Sequence, residues 1–213
     1  LLENGIRVGN LTEELNVVTE ITEFKSDDWF DGHFREVMGD DRIDFAKTVT
    51  FLKPEQKKAD NPFFEAEEGL DYKFIKDHYH QSYWGRMVSW KGEFNQVENV
   101  IKILSSGKAV KRCELIIFDP TKDARNPYSQ PCMCMIDLKP RNGKLYLTSI
   151  LRSNRVSKSG YADYTALTEM GHFLAEQSGL ELAKVTTLAC SCHIGDMDNE
   201  KKKTIKLLEI LNK

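Results

Sequence analysis

The chain has 213 residues, 40% of them hydrophobic and 30% charged, with a formal net charge of -3 at pH 7. That length suits one domain with a full hydrophobic core, and the mixed composition excludes an extended disordered chain. The balanced charge, without a basic stripe, argues against a nucleic-acid binder, and no apolar run reaches the roughly 18 to 20 residues of a membrane helix.

Leu1 to Gly5 show no basic region followed by an apolar core, so no signal peptide is expected. The five cysteines, at 113, 132, 134, 190 and 192, are odd in number. The two Cys-x-Cys pairs are expected to direct their thiols apart and to form no local disulfide. A reducing, cytoplasmic setting follows as the expectation.

Val17, Val18, Ile21 and Phe24 among Thr and Glu predict an early strand over Leu11 to Phe24. Residues 25 to 80 carry no strong periodic run, and 1–80 is the poorly readable part. Phe94, Val97, Val100, Ile101 and Leu104 predict a helix that stops at Ser105-Ser106-Gly107. Cys113 to Phe118, closed by Asp119-Pro120, reads as a buried strand. Strands Cys132 to Leu138 and Lys144 to Arg152 are joined by Lys139-Pro140-Arg141-Asn142-Gly143 as a hairpin. A helix from Tyr164 to Ser178 stops at Gly179, a strand runs from Ala183 to Cys192, and a last helix spans Lys201 to Leu211 with Ile205, Leu208 and Leu211 as its apolar side. These elements predict an α+β protein: a mixed β-sheet flanked by helices, a single domain over 1–213.

A cysteine on an apolar strand is ordinarily a small buried side chain. Cys132 differs in its company. Pro131-Cys132 opens a strand, the next strand ends in Leu151-Arg152-Ser153-Asn154, and the strand after the helix ends in His193. A cationic Arg152 near Cys132 would favour the thiolate, and Ser153 can hydrogen-bond a phosphate or a water. Another reading of the same residues is a zinc site of Cys132, Cys134, Cys190, Cys192 and His193. Zinc sites usually space their thiols as Cys-x2-4-Cys, so no metal is expected.

From about Tyr83 to His193 this order of elements resembles the thymidylate synthase family, in which a Pro-Cys nucleophile precedes a Gly-turn hairpin, an Arg-Ser motif, a helix and a His-bearing strand. The resemblance implies that fold and a homodimer formed through the sheet. It implies a transferase of nucleotide biosynthesis whose cysteine adds to C6 of a pyrimidine nucleotide monophosphate, so that C5 takes a one-carbon unit, methyl or hydroxymethyl, from 5,10-methylenetetrahydrofolate. Cys132 would be the catalytic nucleophile. Arg152 and Ser153 would bind phosphate, joined by Lys111-Arg112 from the partner subunit and by Arg7, within Gly5 to Leu15, as the family's phosphate-loop arginine. Tyr83-Trp84-Gly85-Arg86, with Trp90, is similar to the family's Tyr-Gly element.

The departures fall on positions that would touch substrate. Met133 and Cys134 follow Cys132 where the family has His, and Arg155 stands in place of Asp. Val156 to Asp163 replaces the family's asparagine-bearing stretch, which brings Tyr161 or Asp163 to the base-reading position beside His193 as base- and sugar-binding residues. A carboxylate suits the N4 amino group and N3 of cytosine, whereas the alternative role for Asp163 is to cap a helix beginning at Tyr164. Gly195 replaces the tyrosine that reads the ribose hydroxyl, and the sequence ends at Lys213, before the family's folate-closing tail. The family's base-activating Glu is open among Glu36, Glu55, Glu65, Glu67 and Glu68. The alternative to catalysis is a degenerate homologue that binds a nucleotide without folate-dependent transfer.

Overall fold

A computed structural model describes residues 5–24, 28–38, 82–108, 110–125, 130–195 and 199–211. Two short turns with left-handed backbone start the sheet at its ends. Gly9, at φ +60°, sits between β1 (Ile6–Val8) and β2 (Leu11–Ile21). Asn142 and Gly143, at φ 52° and 75°, join β4 (Met133–Arg141) to β5 (Lys144–Leu151) in the two-residue geometry that matches strand twist. The turn is therefore shorter than the five residues expected. Lys139, Pro140 and Arg141 are paired strand residues, opposite Tyr146, Leu145 and Lys144.

The sheet has seven strands in the order β1-β2-β7-β5-β4-β3, with β3 at Glu114–Ile116 and β7 at Glu181–Gly195. The two-residue β6 (Asn154–Arg155) extends the line of β5 alongside β7. β5 and β7 are parallel, while β2/β7, β4/β5 and β3/β4 are antiparallel, so the sheet is mixed as expected. A parallel pair needs a crossover, and α4 (Tyr161–Gln177) supplies it.

Among the described residues the other helices are α1 (Asp28–Met38), α2 (Tyr83–Val88), α3 (Gln96–Leu104) and α5 (Glu200–Leu211). Leu145, Leu147 and Leu151 of β5, Ile136 and Leu138 of β4 and Val185 of β7 form the core with Val97, Val100 and Leu104 of α3 and Leu167, Met170 and Leu174 of α4. A second cluster joins Phe34 and Val37 of α1, Ala162 of α4 and Leu207 of α5. No helix among the described residues is long and apolar enough to cross a membrane.

Several expectations need correction. α3 begins at Gln96, because Asn95 caps it by accepting from the Glu98 N–H at 3.1 Å; Phe94 lies outside the helix and is exposed. α4 begins at Tyr161, three residues early, as the continuation of a π-helical turn over Val156–Gly160. Its N-cap is Gly160, so Asp163 is not the cap. On α5 the buried apolar residue is Leu207, while Ile205 and Leu208 are 41% and 44% exposed. Glu200 and Leu207, seven apart, share one face, and burial of both turns that face inward. Strand alternation is no reason to expect the thiols of a Cys-x-Cys pair to point apart, since residues i and i+2 of a regular strand share a face; at Cys132 and Cys134 the ladder is interrupted by the shift between Met133 and Met135. The glutamates 55, 65, 67 and 68 lie outside the described residues, and Glu36 is an exposed residue of α1.

Candidate active site

Cys132 is half-buried, immediately before β4. Continuing the register of Met135↔Ile150 would set it opposite Ser153, but the ladder shifts between Met133 and Met135, so that Met133 faces Leu151. Arg152 thereby comes opposite Cys132, and its N–H donates to the Cys132 carbonyl at 2.8 Å. The β-bulge re-aims one side chain at the mouth of the sheet, a common use of such irregularities.

The Arg152 guanidinium is oriented by backbone carbonyls. Its Nε donates to Pro131 O at 3.0 Å and its Nη2 to Gln130 O at 2.8 Å, and Nη2 lies 4.0 Å from the Cys132 sulfur. Among the described residues no carboxylate pairs with it, so its charge is available to the thiol and to an anionic ligand.

Tyr83 opens α2, and its phenol oxygen accepts the Cys132 N–H at 3.2 Å. The short helix holds this pose because Ser82 Oγ accepts the Gly85 N–H at 2.9 Å and Arg86 forks onto Asp123 at 2.6 and 3.0 Å while donating to Ile117 O at 2.9 Å. Asp163, 5% exposed in the first turn of α4, stands near enough for its charge to act on both Cys132 and Tyr83. Burial pushes the Cys132 thiol up, Arg152 pulls it down, Asp163 pushes it up again, and the Tyr83 bond lowers it; the balance is a thiol above its ordinary range. Burial, then Cys132 and Asp163, push the Tyr83 phenol up as well.

His193, on β7, sits in register between Glu13 of β2 and Arg155 of β6. Burial and the neighbouring Arg155 lower its pKa against the opposing pull of Glu13 and Glu200, so the ring is neutral at pH 7. Its buried Nδ1 has no hydrogen-bond partner among the described residues. Arg155 forks onto Glu200, whose carboxylate also accepts from Ser157 Oγ at 2.9 Å and from the Gly195 N–H at 3.0 Å. A Cβ at position 195 would lie 2.8 Å from Arg155 Nη2, so this ion pair fills the space a side chain there would need.

The structure thus brings Arg152 to Cys132, with Asp163 near enough for its charge to act on the thiol, Ser153 half-buried next in the chain and His193 beside Arg155. The remaining expected residues lie elsewhere in this chain, where Lys111 and Arg112 are expected to serve the partner's site rather than this one. Arg7 is exposed on the edge strand β1, with Nε bonded to Gly9 O at 2.8 Å. Lys111 and Arg112 are exposed ahead of β3, at the opposite edge. The Tyr161 ring packs on Phe34, centroids 4.5 Å apart. Tyr83 as a direct contact of Cys132 and Glu200 as a buried hub were not read from the sequence. Tyr83 is 49 residues from its partner, and Glu200 reads locally as an ordinary acidic residue opening a helix. Among the described residues no group of three or more His, Cys, Asp or Glu is placed to hold a metal ion.

The family model described as thymidylate synthase matches residues 45–207. A protein of Methanococcoides burtonii is 32% identical over 126 residues, 59% of this chain and 58% of that protein. One of Methanosarcina mazei is 31% identical over 117 residues, 55% of this chain and 54% of its own length. One of Methanocaldococcus jannaschii is 31% identical over 119 residues, 52% and 53% of the two chains. Each is named "Putative thymidylate synthase", and the chain spans little more than half the length of these relatives.

Proposed function

This chain belongs to the thymidylate synthase family, and from that premise we propose that it is a transferase adding a one-carbon unit to C5 of a pyrimidine nucleoside monophosphate through a covalent Cys132–C6 bond. The observation that carries this reading is the Arg152 guanidinium 4.0 Å from the Cys132 sulfur, with the Tyr83 hydroxyl on the N–H of the same residue. A thiolate at Cys132 attacks C6, and the C5–C6 electron pair moves to C5, which becomes the carbon nucleophile. That pair forms the new C5–carbon bond; when the C5 proton leaves, the electrons of the C5–H bond re-form the C5–C6 double bond, and the C6–S bond breaks to release the thiolate. Arg152 favours the ionised sulfur and offers an anchor for the phosphate. In this family the one-carbon unit ordinarily comes from 5,10-methylenetetrahydrofolate, and we take that co-substrate as the donor.

Asp163 favours cytosine as the base. An ionised carboxylate accepts from the N4 amino group but opposes the O4 of uracil, and a site built around one pattern rejects the other. The burial of Asp163, and Gly160 rather than Asp163 as the N-cap of α4, support this assignment over helix capping. Ser153 and His193 are read as phosphate and sugar contacts. The exposed Lys111 and Arg112 are read as phosphate contacts lent across a homodimer, and Arg7 as a further, peripheral one. The five free thiols suit a cytoplasmic setting.

Tritium release from C5-labelled dCMP, CMP, dUMP and UMP tests the reading. Wild-type protein should release tritium best from a cytidylate, Cys132→Ser should release none, and Asp163→Asn should move the preference toward uracil by about 10²-fold or more. Full release by Cys132→Ser removes the mechanism. A second reading, nucleotide binding without transfer, draws on the raised Cys132 thiol and on the Arg155–Glu200 pair filling the space at Gly195. Calorimetry that finds nucleotide binding, with no folate-dependent product, selects it.

A further inference from the structure

Glu200 is 4% exposed, yet it lies far along the chain from the groups at Cys132. Its carboxylate takes hydrogen bonds from three separate pieces: Arg155 at the end of β6, Ser157 inside the π-helical turn, and the Gly195 N–H at the end of β7. A buried carboxylate of this kind is stable only while its cation and donors stay in place. Leu207 of α5 also shares a buried cluster with Ala162 of α4, the residue before Asp163. The turn itself is confined: a Cβ at Gly160 would lie 2.7 Å from the buried Asn154 Oδ1. π-turns are rare and recur at functional sites, because the wider ring changes the phase of the helix that follows.

We propose that Glu200 is a positioning residue for the candidate site: by clasping Arg155, Ser157 and the Gly195 N–H it sets the phase at which α4 leaves the π-turn, and so fixes where Asp163, buried in the first turn of α4, stands relative to Cys132. α5 is then a brace for base recognition rather than a surface helix. The inference rests on the reading of Cys132 as nucleophile and Asp163 as base-reading group, but its first test needs neither activity nor nucleotide.

The test is the pH profile of Cys132 alkylation by iodoacetamide in the full chain, followed on the Cys132 peptide by mass spectrometry. The groups facing that thiol are Arg152 from the end of β5, Asp163 from α4, Tyr83 from α2 and Cys134 from β4. If Glu200 holds Asp163 in place, Glu200→Gln lets the carboxylate withdraw and lowers the alkylation midpoint by about one pH unit. Asp163→Asn should lower it similarly, and adding Glu200→Gln to Asp163→Asn should change nothing more. An unchanged midpoint in folded Glu200→Gln overturns the proposal, as does a shift that persists undiminished in the Asp163→Asn background. Should Glu200→Gln not fold, Ser157→Ala removes one bond of the clasp and should give a smaller shift of the same sign; no shift there also overturns it. Failure of tritium release with the midpoint shifts intact would strike the functional reading and leave the brace standing.

Discussion

Replacing Arg152 with Gln removes one positive charge 4.0 Å from the Cys132 sulfur. At that separation a unit pair is worth about 4 kcal/mol at an effective dielectric of 20 and about 1 kcal/mol in bulk water. Arg152 is exposed, so the value belongs near the aqueous end, about 1 to 2 kcal/mol, or roughly one pH unit on the thiol. The sign is upward: the cation stabilises the thiolate, and its loss raises a thiol that burial has already raised. Thiolate nucleophilicity itself grows with pKa, with a slope of about 0.4 to 0.5, so a tenfold loss of thiolate slows alkylation at one pH by only about threefold. The midpoint of the pH profile is therefore the quantity to measure. Arg152→Lys should keep part of the shift, because it retains the charge and loses the fork onto Pro131 and Gln130. High salt should move the wild-type midpoint upward and leave that of Arg152→Gln nearly fixed. A midpoint that stays put or falls in Arg152→Gln would refute the electrostatic role assigned to this arginine.

Gly195→Ala forces a Cβ to 2.8 Å from Arg155 Nη2 and 3.0 Å from Glu200 Oε2, and should lower stability by about 1 to 3 kcal/mol, read as a lower urea midpoint at unchanged slope. Burial pushes the Asp123 carboxyl up, but the Arg86 bond and the Asp119 N–H outweigh it and hold it below the ordinary carboxylate range. Its stabilisation is thus complete above about pH 4 and is lost as the pH falls through the lower folded-state value. Asp123→Asn should cost about 3 kcal/mol at pH 7 and flatten the acid limb of urea stability; an unchanged acid limb would count against the pairing.

Local chemistry was legible from neighbouring residues. Apolar spacing marked the elements from α3 onward, and the stretch Lys139 to Gly143 marked a hairpin turn, which the structure narrows to Asn142-Gly143 because both residues tolerate positive φ. Once β4 and β5 are joined there, Cys132 must return close to the Arg152-Ser153 pair, so the centre of the site could be read from the chain alone. Which of those two residues faces the thiol could not, because the shift between Met133 and Met135 is a matter of packing and leaves no local signature. The inward face of α5 also escaped: Ile205 and Leu208 look like its apolar side until burial of Glu200 turns Leu207 inward. Tyr83, Asp163 and Glu200 reach their places through contacts between distant elements, whose energies come from burial and paired charge rather than from local conformation. The sequence by itself determined Cys132 as the candidate nucleophile, its hairpin and the order of elements. Only the tertiary structure decided which side chains converge on Cys132, since convergence depends on how separate faces pack and not on the spacing within any one of them.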